Sequence, residues 1–136
     1  MLKTVHFQPI YRDRYHDEAE NVMKKILFID DDVSIGEMIS LFLGKLGYQV
    51  KVAHDGEKGI EMLRNGERFN VVITDIRMPN MSGNEVARYV RKSRPSNIHL
   101  VAITGFIEDV ETDLFDGLLE KPFKVQELLG VIGSLQ

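Results

Sequence analysis

The sequence contains no cysteine and no tryptophan. Without cysteine the chain has no disulfide bond, no thiolate metal site and no catalytic thiol. Positive charge is not in excess either, because 17 Lys and Arg residues face 21 Asp and Glu residues, for a formal charge of −4. Binding to phosphate backbones needs clustered Lys and Arg, so we expect no nucleic-acid partner.

Long apolar runs are also missing. The longest stretch free of Asp, Glu, Lys and Arg covers residues 95–107 and includes His99. It is shorter than the roughly 20 residues that a membrane-spanning helix needs. Residues 1–10 lack the apolar core of a secretion signal. We therefore expect no membrane partner and a cytoplasmic location.

The chain has 136 residues, of which 43% are hydrophobic, and this length suits one globular domain. Residues 1–23 are rich in charged and aromatic side chains and show no sustained apolar period. We predict an N-terminal arm or a short docking helix there. Residues 24–136 alternate short apolar runs with helical patterns and form the predicted domain.

Five short apolar runs predict the strands of a parallel sheet. Their spacing suits β-crossover-β units, and consecutive apolar positions are typical of strands covered on both faces by helices. The sequence therefore predicts an α/β fold with a doubly wound, five-stranded parallel sheet. The runs cover residues 26–29, 50–53, 71–74, 100–103 and 118–119.

Helix signals lie between these runs. Two serines are each followed three residues later by a glutamate, a spacing typical of a capping box at a helix start. Further helices are predicted over residues 57–65 and from Val125 onward, about five helices in all. The capping-box pairs are Ser34 with Glu37 and Ser82 with Glu85, and Pro95 ends the second of these helices.

Polar residues follow four of the predicted strands. Ligands of parallel sheets bind beyond the carboxyl ends of the strands, where the strand order reverses. Carboxylates about 5 Å apart repel each other by about 3 kcal/mol at an effective dielectric near 20, so such a cluster needs a counter-ion. The residues are Asp30, Asp31 and Asp32 after the first strand, Asp75 after the third, Thr104 after the fourth and Lys121 after the fifth.

The donor types at these strand ends indicate a phosphoryl-binding site. Oxygen ligands without His or Cys favour Mg²⁺ or a similar hard cation. With the cation on one side and the amine of Lys121 on the other, the space between them suits a phosphoryl group. The nucleophile would then be a carboxylate.

Four motifs at these positions resemble the receiver domain of two-component response regulators. The resemblance covers about residues 24–136 and implies the flavodoxin-like strand order 2-1-3-4-5. It further implies a signalling domain, which catalyses only its own phosphorylation and dephosphorylation, rather than an enzyme with a separate substrate. The motifs are residues 26–32, residues 71–79 with Gly83, residues 101–105 and residues 120–123.

The resemblance also implies a role for each site residue. The phosphoryl donor would be a phosphohistidine on a histidine kinase or a histidine phosphotransfer protein, and the bond between Lys121 and Pro122 would be cis. Asp75 would be the phosphoacceptor, Asp30, Asp31 and Asp75 with the Arg77 carbonyl would hold Mg²⁺, and Thr104 and Lys121 would contact the phosphoryl oxygens.

Two features depart from the family pattern. The segment between Thr104 and Lys121 is shorter than usual, so the fourth helix must be short, over about residues 108–115, or unwound. Leu118 stands where family members often carry a Tyr or Phe whose rotamer follows phosphorylation. These departures put in question the usual coupling to an output surface and a possible homodimer through it.

Two bulky side chains lie near the predicted phosphoacceptor. Arg77 and Phe106 stand two positions beyond Asp75 and Thr104, at sites that in the family border the path of the hydrolytic water. Their bulk predicts a long-lived phosphoryl group. Because the chain ends with the last predicted helix, we expect output through contact with a downstream protein target.

Two other functions stay open at this point. Asp30 and Asp32 also resemble the nucleophile motif of haloacid-dehalogenase-like Mg²⁺ phosphatases, but that family has a further acidic pair after the lysine, and only Glu127 follows Lys121 here. The other alternative is a receiver-like binding module that works without phosphorylation.

Overall fold

A computed structural model describes residues 24–93 and 98–135. The predicted arm at residues 1–23 and the predicted helix stop at Pro95 lie outside the described residues. Within them, no helix has both the length and the apolar character needed to cross a bilayer.

The described residues form five strands and four α-helices. Each predicted strand is present and extends one or two residues further than the apolar run that predicted it. The elements are β1 Lys25–Ile29, α1 Val33–Lys45, β2 Gln49–Ala53, α2 Gly56–Arg64, β3 Val71–Asp75, α3 Gly83–Ser93, β4 His99–Thr104, β5 Gly117–Glu120 and α4 Val125–Ser134.

All five strands pair in parallel in the order β2-β1-β3-β4-β5, so the predicted fold class and strand order are confirmed. The order reverses between β1 and β3, which places a ligand crevice at the carboxyl ends of these two strands. Asp75 is in register with Ile103, and Thr104 with Glu120. The polar strand ends therefore lie along the same edge of the sheet.

Two apolar layers cover the sheet. One layer contains α1 and α4 with alternate residues of the central strands, including Ile26 and Ile103. The other contains α2, α3 and part of the β4–β5 connection, including Leu27 and Phe115. The strands β1, β3 and β4 are thus buried on both faces, as their consecutive apolar residues predict.

The two predicted capping boxes have different outcomes. The first is wrong, because α1 begins at Val33 and its N-cap is Asp32, whose carboxylate accepts hydrogen bonds from the amides of Ser34 at 3.0 Å and Ile35 at 3.3 Å. An aspartate caps the first turn as well as a serine does. At the second, the Ser82 hydroxyl accepts a hydrogen bond from the Glu85 amide at 3.2 Å, so a serine cap at the start of α3 is confirmed.

The β4–β5 segment, residues 105–116, does not form the short helix expected over residues 108–115. It contains two single 3₁₀ turns, Ile107–Asp109 and Thr112–Leu114. The unwound alternative is therefore the one that the structure shows, and Phe115 anchors the segment in the core.

Acidic side chains explain why this segment stays unwound. Residues 105–116 contain five acidic and no basic residues, and an α-helix would place several like charges three or four positions apart, which destabilises it. Three of the acidic side chains instead pair with arginines outside the segment. The pairs are Asp109 with Arg77, Glu111 with Arg88 and Asp116 with Arg91.

Candidate functional site

Three carboxylates meet at the carboxyl ends of β1 and β3. Oxygens of Asp30, Asp31 and Asp75 all lie within 4.8 Å of one another. They converge because β1 and β3 are neighbours in the sheet, where Asp30 and Asp31 follow β1 directly and Asp75 is the last residue of β3. A set of three carboxylates is the donor chemistry that Mg²⁺ prefers, so the residues present fit such an ion.

The ammonium group of Lys121 lies against the same cluster. It donates hydrogen bonds to Asp30 Oδ2 at 2.9 Å and to Asp75 Oδ2 at 3.1 Å. The Asp30 side chain is 1% exposed, that of Asp75 12% and that of Lys121 23%, so the carboxylates of both ion pairs are largely removed from water. Lys121 follows β5 directly, and its side chain joins that edge strand to the two central strands. The peptide bond from Lys121 to Pro122 is cis, as predicted.

Backbone amides hold the second oxygen of each buried carboxylate. The Ile76 amide donates to Asp75 Oδ1 at 2.7 Å, and the Asp32 amide donates to Asp30 Oδ1 at 2.9 Å. Each carboxylate is therefore fixed between an amide and the lysine. Such fixed positions keep the oxygens oriented without a further cost at the moment of reaction.

Burial and charge set the protonation of this cluster. Burial raises the pKa of Asp75 and the nearby charge of Asp30 adds to the rise, while the hydrogen bond from Lys121 opposes it. Burial alone would lower the pKa of Lys121, but the hydrogen bonds to Asp30 and Asp75 outweigh that effect and raise it. The lysine is therefore a firmly charged partner for anions.

A glycine lets the start of α3 approach the loop that carries Asp75. The Gly83 amide donates to the Ile76 carbonyl at 2.9 Å. A Cβ atom on Gly83 would lie 2.1 Å from the carbonyl oxygen of Asp75. Only glycine allows this contact, which fixes the loop between β3 and α3.

Thr104 ends β4 at the same sheet edge and is fully buried. Its hydroxyl accepts a hydrogen bond from the Phe106 amide at 2.9 Å, and its carbonyl accepts one from the Lys121 amide at 2.9 Å. Because the hydroxyl acts as acceptor toward Phe106, its own proton stays available for another acceptor.

Arg77 and Phe106 contact each other. The Arg77 guanidinium stacks 3.4 Å from the centroid of the Phe106 ring, and its Nε donates to the carboxylate of Asp109. Both bulky residues were predicted to flank the site, but the contact with Asp109 was missed. It joins residues 32 positions apart, and no short-range pattern in the sequence indicates it.

Asp32 lies outside the acidic cluster formed within the described residues. Its carboxylate caps α1 and accepts a hydrogen bond from the Ser34 hydroxyl at 2.8 Å. A haloacid-dehalogenase-like site would use Asp30 and Asp32 together, whereas this structure groups Asp30 with Asp31 and Asp75. The arrangement does not favour that alternative.

Comparison with known proteins agrees with this geometry. Residues 26–133 match the family model described as the response regulator receiver domain. A transcriptional regulatory protein of Haemophilus influenzae, a CpxR homolog, is 31% identical over 83% of this chain and 50% of its own length. The chain spans about half the length of the curated relatives it matches.

Solved structures show the same similarity. The response regulator TrrA of Thermotoga maritima, in complex with Mg²⁺ and BeF, is 31% identical and aligns with a TM-score of 0.76 over 84% of this chain and 100% of its own. TrrA in complex with the histidine kinase ThkA is 30% identical and aligns with a TM-score of 0.75 over 83% of this chain and 98% of its own.

Proposed function

The chain belongs to the response regulator receiver family, and from this premise we propose that Asp75 accepts a phosphoryl group from a phosphohistidine. The donor would be a histidine kinase or a histidine phosphotransfer protein, and the complex of TrrA with ThkA supports the first. The observation that carries the proposal is the Lys121 ammonium, which bridges Asp30 and Asp75 beside a third carboxylate.

Asp75 suits the acceptor role better than its two neighbours do. Asp30 is 1% exposed, which would keep an incoming phosphorus atom from its oxygens, while Asp31 is exposed and has no hydrogen bond to Lys121 among the described contacts. The Asp75 side chain is 12% exposed and ends β3 beside β1, where the strand order reverses. It therefore combines access with a fixed orientation.

Asp30, Asp31 and Asp75, with the Arg77 carbonyl, would hold Mg²⁺, and the Mg²⁺-BeF complex of TrrA supports this assignment. The ion would neutralise negative charge on the phosphoryl oxygens. Lys121 and the Thr104 hydroxyl would donate to the remaining oxygens. Phosphoryl transfer passes through a loose transition state, so positioning and charge stabilisation supply most of the catalysis.

The transfer forms one bond and breaks another. An oxygen of the ionised Asp75 carboxylate attacks phosphorus, and the P–N bond to the donor histidine breaks as its electron pair returns to the imidazole nitrogen. The Ile76 amide holds the other Asp75 oxygen and so aims the attacking one. The product is an aspartyl phosphate.

The product would signal by protein contact. The phosphoryl group adds about −1.5 to −2 charge, which draws Lys121 and Thr104 toward it and biases an existing equilibrium in the loops beyond β3, β4 and β5. A downstream protein target would recognise the favoured state, and a homodimer would be an alternative partnership of that state.

The test is incubation with acetyl phosphate and Mg²⁺ followed by intact mass measurement. We expect a gain of one phosphoryl group, which Asp75→Asn abolishes. Asp55→Asn is the matched control, because Asp55 follows β2 and caps α2, and it should keep the full gain.

A second candidate function is a binding module that works without phosphorylation. The unwound β4–β5 segment and Leu118 favour it, since both alter the part of the fold that would read out phosphorylation. Absence of any mass gain with acetyl phosphate and with phosphohistidine donors would support this module and contradict phosphoryl transfer.

A further inference from the structure

The side chain of Arg77 connects the loops that follow β3 and β4. Arg77 stands two residues after Asp75, and the Phe106 ring on which it stacks stands two residues after Thr104. Its Nε donates to Asp109 in the first 3₁₀ turn of the β4–β5 segment. Arg77 is the cation nearest to Asp75 in the sequence. It contacts the β4–β5 segment, which takes the place of the expected fourth helix.

Asp109 is the fixed member of this ion pair. Its carbonyl accepts a hydrogen bond from Asn84 Nδ2 at 2.7 Å, and Asn84 Oδ1 accepts one from the Glu111 amide at 3.0 Å. Asn84 is 8% exposed and lies in the first turn of α3. The backbone on either side of Val110 is therefore attached to a helix of the core.

Arg77 is the member that has room to move. Its side chain is 54% exposed, and an open groove of about 630 Å³ lies beside it, lined in part by Ile76, Met78 and Asp109. An exposed ion pair contributes little to stability because water screens it. A stronger anion close by would therefore displace Asp109 from the guanidinium.

We propose that Asp109 is a positioning residue of the phosphoacceptor site: it holds Arg77 while Asp75 is unmodified, and the phosphoryl group replaces it as the partner of Arg77. In the unmodified protein its carboxylate holds Arg77 on the Phe106 ring. When Asp75 carries a phosphoryl group, Arg77 leaves Asp109 for the phosphoryl oxygens, and Phe106 and the first 3₁₀ turn are released. This exchange rests on the proposed phosphorylation of Asp75, and it would couple the phosphoacceptor site to the β4–β5 segment.

Charge and geometry favour the exchange. The phosphoryl group carries about −1.5 to −2 charge against −1 for a carboxylate, and guanidinium binds phosphate oxygens in a planar, two-point geometry. The Phe106 amide also donates to the Thr104 hydroxyl. A movement of Thr104 toward the phosphoryl group would therefore draw Phe106 in the same step.

Hydrogen exchange of backbone amides tests the proposal. The Asp109 amide donates to the Phe106 carbonyl and the Val110 amide to the Ile107 carbonyl, both at 3.0 Å, so both report on the first 3₁₀ turn. The full chain is phosphorylated with acetyl phosphate and Mg²⁺, and intact mass confirms the modification in the same sample. We expect the exchange rate of both amides to rise about threefold or more on phosphorylation.

Asp109→Asn removes the charge and keeps the size of the side chain. We expect both amides to exchange faster in the unmodified variant, with no further increase on phosphorylation. The NMR resonance of the Arg77 Nε–H group should move on phosphorylation in the wild type and already be displaced in unmodified Asp109→Asn. Glu111→Gln is the matched control, because it breaks the neighbouring exposed pair with Arg88 and should keep the full phosphorylation-dependent increase.

The two measurements distinguish the exchange of Arg77 from the phosphorylation of Asp75 on which it rests. A confirmed mass gain without faster exchange in the wild type would overturn the inference and leave phosphoryl transfer intact. The same increase in Asp109→Asn as in the wild type would also overturn it. Failure of every donor to modify the wild type would overturn both.

Discussion

At the scale of single residues, the site is assembled at the expense of stability. Asp75 lies half-buried beside another carboxylate, and its pKa is raised. A carboxyl group with a raised pKa in the folded state destabilises the fold once it is ionised. The same burial keeps the nucleophile close to its counter-charges, so function and stability conflict at this residue.

We expect Asp75→Asn to raise the free energy of unfolding at pH 7 by about 0.5–2 kcal/mol, the range common for single stabilising substitutions. The wild type loses stability as the pH rises from the unfolded pKa of Asp75 to its higher folded pKa. The asparagine variant does not titrate there, so its advantage should vanish in acid, below the unfolded pKa. Urea unfolding at several pH values in EDTA measures this, and an equal advantage at every pH would contradict the explanation.

Arg77 and Phe106 should protect the aspartyl phosphate. Arg77 stands two residues after Asp75 and Phe106 two residues after Thr104, and their bulk, with Arg77 turned toward the phosphoryl oxygens, would obstruct the water that attacks phosphorus. We expect a long-lived phosphoryl group in the wild type and loss about tenfold faster in the double variant Arg77→Asn, Phe106→Ala, which corresponds to about 1.4 kcal/mol of barrier.

The measurement is intact mass against time after removal of the donor. Val110→Ala is a suitable control, because it trims a side chain of the β4–β5 segment that packs on the core and leaves both Arg77 and Phe106 in place. Loss of the phosphoryl group from the wild type within seconds would contradict protection.

At the scale of the elements, α3 and the β3–α3 loop pack so closely that a single methyl group should disturb the site. We expect Gly83→Ala to lower the free energy of unfolding by about 1–3 kcal/mol, the cost typical of overpacking, because its Cβ would lie 2.1 Å from the Asp75 carbonyl oxygen. Gly44→Ala in α1 is the matched control. Apart from its chain neighbours and the backbone of its own helix turns, no atom of the described residues lies within 4 Å of its added Cβ, and it should stabilise the helix by up to about 1 kcal/mol.

Urea unfolding of both variants checks this prediction, and phosphorylation by acetyl phosphate checks its consequence for the site. Gly83→Ala should slow phosphorylation because the loop that aims Asp75 must shift, whereas Gly44→Ala should leave the rate unchanged. Equal stability of the two variants would show that the loop moves freely.

The sequence predicted the elements that depend on local pattern. Consecutive apolar residues predicted the strands, and acidic residues at their ends predicted the cluster of Asp30, Asp31 and Asp75. The cap of α1 was wrongly predicted because Asp32 and Ser34 are both good caps, and only the backbone path decides between them. The Arg77–Asp109 pair depends on two loops meeting in space, which no local pattern encodes.

The β4–β5 segment shows a further limit. Its length predicted a short or unwound helix, and the choice between them depends on three arginines that lie outside it. Two of these, Arg88 and Arg91, belong to α3. Tertiary contacts therefore decided the conformation of this segment, whereas propensity alone left it open.

At the scale of the whole molecule, the acidic cluster links ion binding to global unfolding. A ligand that binds only the folded state stabilises it by RT ln(1 + [L]/Kd). The cluster joins β1 and β3 at the centre of the sheet, so the effect should appear in the unfolding of the entire domain.

We expect Mg²⁺ to raise the free energy of unfolding of the unmodified protein. With about 10 mM Mg²⁺ and a dissociation constant of about 1 mM, the gain would be about 1.4 kcal/mol. Asp31→Asn should abolish this gain with little effect on the fold in EDTA, because the Asp31 side chain is exposed. Asp113→Asn, an exposed acidic residue of the second 3₁₀ turn, should keep the gain. Urea unfolding with and without Mg²⁺ measures this gain in the free energy of unfolding. An undiminished gain in Asp31→Asn would contradict the assignment of Asp31 as a Mg²⁺ ligand.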